Sequence, residues 1–168
     1  DDADQIVGNP WIRDPRNIPT ILTSGSWDYV GVRSNYYRPV MHLVYMAGYA
    51  VFGLWAPGYH LLNVAMHAGA TVLVFLLAEH MLGRGGRPRR AVLAPAGVAG
   101  LLFATHPIHT EAVAWIGGVP DLCFTLFGLA SLHLYATSRA DGMPSWSFRY
   151  VGSVLAFLLA ALSKETAL

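Results

Sequence analysis

Four groups of polar residues in this chain have types and spacings that could do chemistry. Asp1-Asp2-Ala3-Asp4, followed by Asn9-Pro10, crowds carboxylates together. Like charges raise one another's pKa, which suits one of them to act as a general base towards a hydroxyl. A solvated acidic tail is the plainer alternative. His106-Pro107-Ile108-His109-Thr110-Glu111 leads on to Trp115, Gly117, Gly118, Pro120 and Asp121. Two imidazoles and a carboxylate are chemically able to hold a metal ion, although the spacing is weakly specific. The competing reading is a helix stopped at Pro107, histidines in the interface and Asp121 as N-cap of a helix from Leu122.

Ser163-Lys164-Glu165-Thr166 offers an ammonium that can meet a phosphate or simply snorkel from a helix end. His60, Asn63 and His67 fall on one helical stripe, where they either face a cavity or bond neighbouring helices. Arg38, just ahead of Pro39, can take a phosphate bidentately or anchor a helix.

These groups must be positioned by apolar helices. Charged residues make up 12% of the 168 residues, about half the usual globular share. Residues 59–82 carry one formal charge, Glu79, and are long enough to cross a bilayer core. Residues 91–105, 122–137 and 149–163 are shorter, but with Trp115, Trp146 and Tyr150 in the headgroup belt they read as three further crossings. Residues 1–58 form an outer-face segment too rich in breakers for a simple loop, with an interfacial helix over 39–52 opened by Pro39.

Loop charge orients this arrangement, because Lys and Arg favour the cytoplasmic side. Arg84, Arg87, Arg89, Arg90, Arg139 and Arg149, six of the eleven basic residues, fall in the two short loops at one end. Eight of the ten carboxylates fall at the other. The acidic end is therefore expected to be periplasmic or luminal. One short basic run leaves no footprint for nucleic acid. The single Cys123, in an apolar stretch, is expected to pack. The chain opens without Met and stops after an apolar run, so it is expected to be a fragment.

In order and separation these residues resemble the N-terminal membrane part of a known family, the multi-pass protein O-mannosyltransferases carrying tetratricopeptide repeats, including those acting on cadherins. The matching stretches are Asp1-Asp2 with Ile6 and Asn9-Pro10, then Tyr37-Arg38-Pro39-Val40, then Gly58 to Asn63 with His67. Leu102 to Val113, Asp121-Leu122 and Leu162-Ser163-Lys164-Glu165 complete the match.

The resemblance implies an all-α, polytopic transmembrane helical bundle of the GT-C type, here incomplete. It implies transfer of a sugar, typically mannose, from a polyprenyl-phosphate carrier in the membrane lipid to Ser or Thr hydroxyls of an acceptor protein. It implies a catalytic base at Asp1 or Asp2, supporting acids at Glu111 and Asp121, and donor-phosphate contacts from Arg38, Lys164, His106 and His109. Neither a cofactor nor a metal is then needed. Relatives often carry Gly-Arg-x-Asp where this chain reads Gly118-Val119-Pro120-Asp121, so Asp121 is expected to lack a charge partner and Glu165 to pair with Lys164. The rival expectations are a non-catalytic membrane scaffold displaying a repeat domain and a metal-dependent enzyme built on His106, His109 and Glu111.

Overall fold

A computed structural model describes residues 3–32, 35–140 and 146–165. Among them the protein is all-α. After short helical turns comes α1 (Ile18–Ile21), then α2 (Pro39–Phe52), α3 (Ala56–Gly83), α4 (Arg89–Thr105), α5 (Thr110–Ala114), α6 (Val119–Ala140) and α7 (Phe148–Ala161). The boundaries follow local chemistry. Pro39 opens α2 at a position where its missing N–H costs nothing, and Gly53 ends α2 at φ 57, which a Cβ would disfavour.

Helix α3 is the backbone of the bundle. It lies against α4 and α6, and α6 lies along α7. Small residues let these helices approach closely: Ala96 and Gly100 of α4 are buried, and a Cβ on Gly100 would sit 3.4 Å from the Phe75 Cβ of α3. Across α6 and α7 the Ser131 hydroxyl donates to the Ser153 carbonyl at 2.8 Å. Leu61, Val72, Leu101, Leu155 and Leu158 point outwards and are exposed, as expected of a surface facing lipid. Helix α3 and Ile116–Arg139 are each long and apolar enough to cross a membrane. Arg89–Thr105 with Pro107–Ala114, bent by 44°, makes a third if it is one span. Helix α7, with 14 residues, is shorter than a lone crossing needs. The bend coincides with Pro107, which cannot donate the next helical hydrogen bond.

The first segment has a core of its own. Ile6, Ile12 and Ile21 are buried with Val40, Met41 and Tyr45 of α2 and with Ile116, Val119 and Cys123. Asn9 is wholly buried. Its Oδ1 accepts from the Trp11 N–H at 2.9 Å, and its Nδ2 lies 3.2 Å from the His42 Nδ1, whose other nitrogen is 3.2 Å from the Ser26 carbonyl. Asn9-Pro10 is thus a turn-forming anchor for the outer segment.

That arrangement needs a neutral His42. Burial lowers its pKa to about 4, only partly opposed by the hydrogen bond to Ser26. A folded pKa below the unfolded value means that stability is fully present above about 6.5 and is lost as the pH falls towards 4. Local opening of this segment is expected to become easier by about 2 kcal/mol at pH 5. Hydrogen exchange of the full-length protein between pH 7 and 5 measures this, and a His42→Gln variant should abolish the pH dependence.

Candidate active site

The acidic end of the bundle is assembled by the end of α7. Lys164 forms an ion pair with Asp121, and Arg38 forms a two-point ion pair with Glu165. In the second, Arg38 Nε donates to Glu165 Oε2 at 2.9 Å while Nη2 meets Oε1. The Arg38 guanidinium also lies over the Tyr36 ring, 4.7 Å from its centre. The backbone supports this, because the Val40 N–H donates to the Leu162 carbonyl at 3.3 Å. Two neighbouring residues, Lys164 and Glu165, therefore reach in different directions, one to the start of α6 and one to the start of α2.

Three expectations are corrected here. Asp121 has a charge partner after all, supplied by Lys164 from 43 positions away instead of by the neighbouring loop. Glu165 pairs with Arg38 and not with Lys164. Asp121 is also not the N-cap, since α6 starts at Val119 and Asp121 lies in its first turn, still favourably placed at the positive end of the helix. The Arg38 hydrogen bond holds Glu165 below the usual carboxylate range, and Glu165 in turn raises Arg38, so both remain charged.

Asp121 also lines a cleft of about 230 Å³ with Ile108, Glu111, Ala112, Trp115 and Gly118. Glu111 and Asp121 thus share one concavity. The walls are fixed by hydrogen bonds from deeper in the bundle. Asn63 Nδ2 donates to the Trp115 carbonyl at 2.8 Å and to that of Val113 at 3.3 Å. The Tyr45 hydroxyl lies 2.7 Å from Gln5 Oε1 and 3.1 Å from the Ile116 carbonyl. Gln5 and Tyr45 were not signalled by the sequence. A tyrosine inside a largely apolar helix is the one hint, since a buried phenol needs a partner.

His106 and His109 face elsewhere. With His60 and His67 they line a groove of about 410 Å³ on another side of α5. The His67 and His109 rings are 5.2 Å apart and those of His106 and His109 are 6.1 Å apart. His106 Nδ1 accepts from the Ile108 N–H at 3.2 Å, so it also caps the turn after α4. His67 is 3.2 Å from the Ala104 carbonyl, linking α3 to α4. Among the described residues no three His, Cys, Asp or Glu side chains are arranged to hold a metal ion, and Glu111 stands in the cleft apart from His106 and His109. Asp1 and Asp2 lie outside the described residues.

No family model matches the chain, and no solved structure gives a significant match. Curated proteins do. A protein O-mannosyl-transferase of Caenorhabditis elegans is 33% identical over 174 residues, covering 100% of this chain and 23% of the relative. The protein O-mannosyl-transferase Tmtc1 of Drosophila melanogaster is 36% identical over 171 residues, 100% of this chain and 19% of the relative. The protein O-mannosyl-transferase TMTC2 of Homo sapiens is 38% identical over 132 residues, 77% of this chain and 15% of the relative. The chain spans under a quarter of the length of each of these relatives. Over that span, the chain belongs to the family of the protein O-mannosyl-transferases.

Proposed function

We propose that the protein containing this chain is a multi-pass membrane glycosyltransferase of the GT-C type. It transfers mannose from a polyprenyl-phosphate carrier to Ser or Thr hydroxyls of an acceptor protein on the periplasmic or luminal face. The observation that carries this reading is the convergence at one end of the bundle. Arg38, Asp121 and the adjacent Lys164 and Glu165, from three distant parts of the sequence, are joined there by two ion pairs beside the cleft that Glu111 shares. The carboxylate-rich end also lies away from the arginine-rich loops, as the positive-inside tendency requires of an outer face.

In this reading Asp1 or Asp2 takes the proton from the acceptor hydroxyl as its oxygen forms a bond to the sugar C1. The bond from C1 to the carrier phosphate breaks, and the phosphate leaves with the electron pair from the opposite face of the sugar. Displacement of this kind inverts the anomeric centre. The leaving phosphate develops charge, which Arg38 and Lys164 are placed to stabilise. Glu165 occupies two of the five guanidinium N–H groups of Arg38 and leaves three for an incoming oxygen. His106 and His109, in the separate groove, are assigned a second rank in donor binding. Glu111 and Asp121 orient the sugar or the acceptor. The step balances without a metal or an organic cofactor.

The test uses the full-length protein in vesicles, supplied with a Ser/Thr-containing acceptor and either polyprenyl-phosphate mannose or a nucleotide-linked mannose. Transfer from the lipid-linked donor alone is the expected result. Transfer from the nucleotide sugar, or no transfer while a partner protein is held tightly, overturns the reading, the second outcome in favour of a scaffold.

A further inference from the structure

The opposite end of the bundle carries another chemistry. Between α3 and α4 the chain reverses through a short turn with Gly86 at φ 68, a backbone angle that favours glycine. Arg84, Arg87, Arg89 and Arg90 crowd this turn, and all four are exposed. Beside them is a cavity of about 370 Å³ whose lining includes Glu79, His80, Arg84, Arg87 and Arg89. Glu79 is the one carboxylate of that lining, and it engages Arg89 at 3.4 Å. Three guanidinium groups against one carboxylate leave the cavity positive. Arg84 donates to the Ala136 carbonyl at 3.4 Å, which pins the turn to the end of α6 and brings Arg139 to the same end.

Arginines that merely mark the cytoplasmic side need no shared cavity, since each can extend its own stem into the headgroups. Here Arg84, Arg87 and Arg89 line one cavity instead. One further feature favours an anion. Helix α4 begins without a side-chain cap, because Pro88 has none to give; the Ala91 N–H donates to the Pro88 carbonyl at 2.8 Å, which leaves the N–H groups of Arg89 and Arg90 to face an anion. The surroundings favour an anion that carries acyl chains. Met81 is exposed next to His80, and Trp146 and Phe148, at the start of α7, are strongly exposed at this same end, where aromatic rings seat in the interface.

We propose that this basic end binds the phosphate-bearing headgroup of an anionic membrane phospholipid, seated between Arg84, Arg87 and Arg89. The site is separate from the transfer cleft and does not depend on the sugar donor. Guanidinium forks match phosphate oxygens in pairs, and basic pockets between helix ends suit such headgroups.

Native mass spectrometry of the detergent-purified full-length protein, given equimolar phosphatidylserine and phosphatidylcholine, tests this. Phosphatidylserine should be retained over phosphatidylcholine by about tenfold or more. Retention should fall by about tenfold in an Arg84→Gln/Arg87→Gln variant and be largely kept in Arg84→Lys/Arg87→Lys. If the double Gln variant loses its size-exclusion profile, Arg87→Gln alone, at an exposed turn position, should still lower retention by about threefold. Equal retention of the two lipids, or retention unchanged by the Gln substitutions, overturns the proposal. So does displacement of the lipid by millimolar inorganic phosphate, which would make free phosphate the ligand.

Discussion

An Asn in place of Asp1 or Asp2 in the full-length protein is expected to slow mannose transfer by about 100- to 10,000-fold. That is the range by which a positioned general base accelerates proton removal. The amide keeps the size of the carboxylate and some of its hydrogen bonding but cannot accept the proton from the acceptor hydroxyl. The loss should fall on kcat, with KM for the lipid donor little changed, because donor binding is assigned to Arg38 and Lys164. Of the two aspartates, the one acting as base carries the larger loss. Membrane insertion and the size-exclusion profile should be those of the unaltered protein. Transfer at the normal rate in both single variants would remove the paired aspartates from the mechanism.

The second large effect is structural. A Cβ on Gly118 would stand 2.8 Å from the Ala112 carbonyl carbon and 2.9 Å from the Ala112 Cα, with the carbonyl oxygen closer still. These are backbone atoms of α5, so no side-chain rotation relieves the clash. The turn Ile116–Gly118 must move away from α5, straining the Tyr45 contact with the Ile116 carbonyl and the Asn63 bond to Trp115. Overpacking together with weakened buried hydrogen bonds is expected to cost about 3–5 kcal/mol. Gly118→Ala should therefore lower the unfolding midpoint of the full-length protein sharply and reduce transfer with it. Gly97→Ala, where an added Cβ meets nothing within 4 Å, is the control and should leave both unchanged or slightly improved.

Much of the fold was legible because its signals are local. The mainly apolar run over 59–82 became α3, extended at both ends to Ala56–Gly83, and Pro39 opens a helix that ends at Phe52 as the pattern predicts. The outer segment was less legible. Its Asn9, read beside the acidic cluster, is an anchor whose partner His42 is 33 residues away.

The site divides in the same way. That Arg38, Asp121, Lys164 and Glu165 fall at one end of the bundle could be read from the alternation of apolar runs and loop charge. Which cation meets which carboxylate could not, because it depends on where α2, α6 and α7 end in space. The adjacency of Lys164 and Glu165 in sequence suggested a pair that the geometry does not make. Nor did spacing reveal that α5 would separate the histidines from Glu111, since one short helix turns its two sides to different cavities.

The crossed ion pairs at the end of α7 also bear on how an anionic substrate arrives. Each cation is neutralised within a few ångströms, so at a distance the two pairs act as small dipoles whose field fades faster than that of a free charge. Long-range attraction, the usual aid to capturing a soluble anion, is therefore weak at this mouth. A donor tethered to a lipid has no need of it, because it reaches the site by lateral diffusion in the plane of the bilayer. KM for such a donor should accordingly change little as ionic strength rises, whereas a site built to draw phosphates from bulk water would lose affinity steeply.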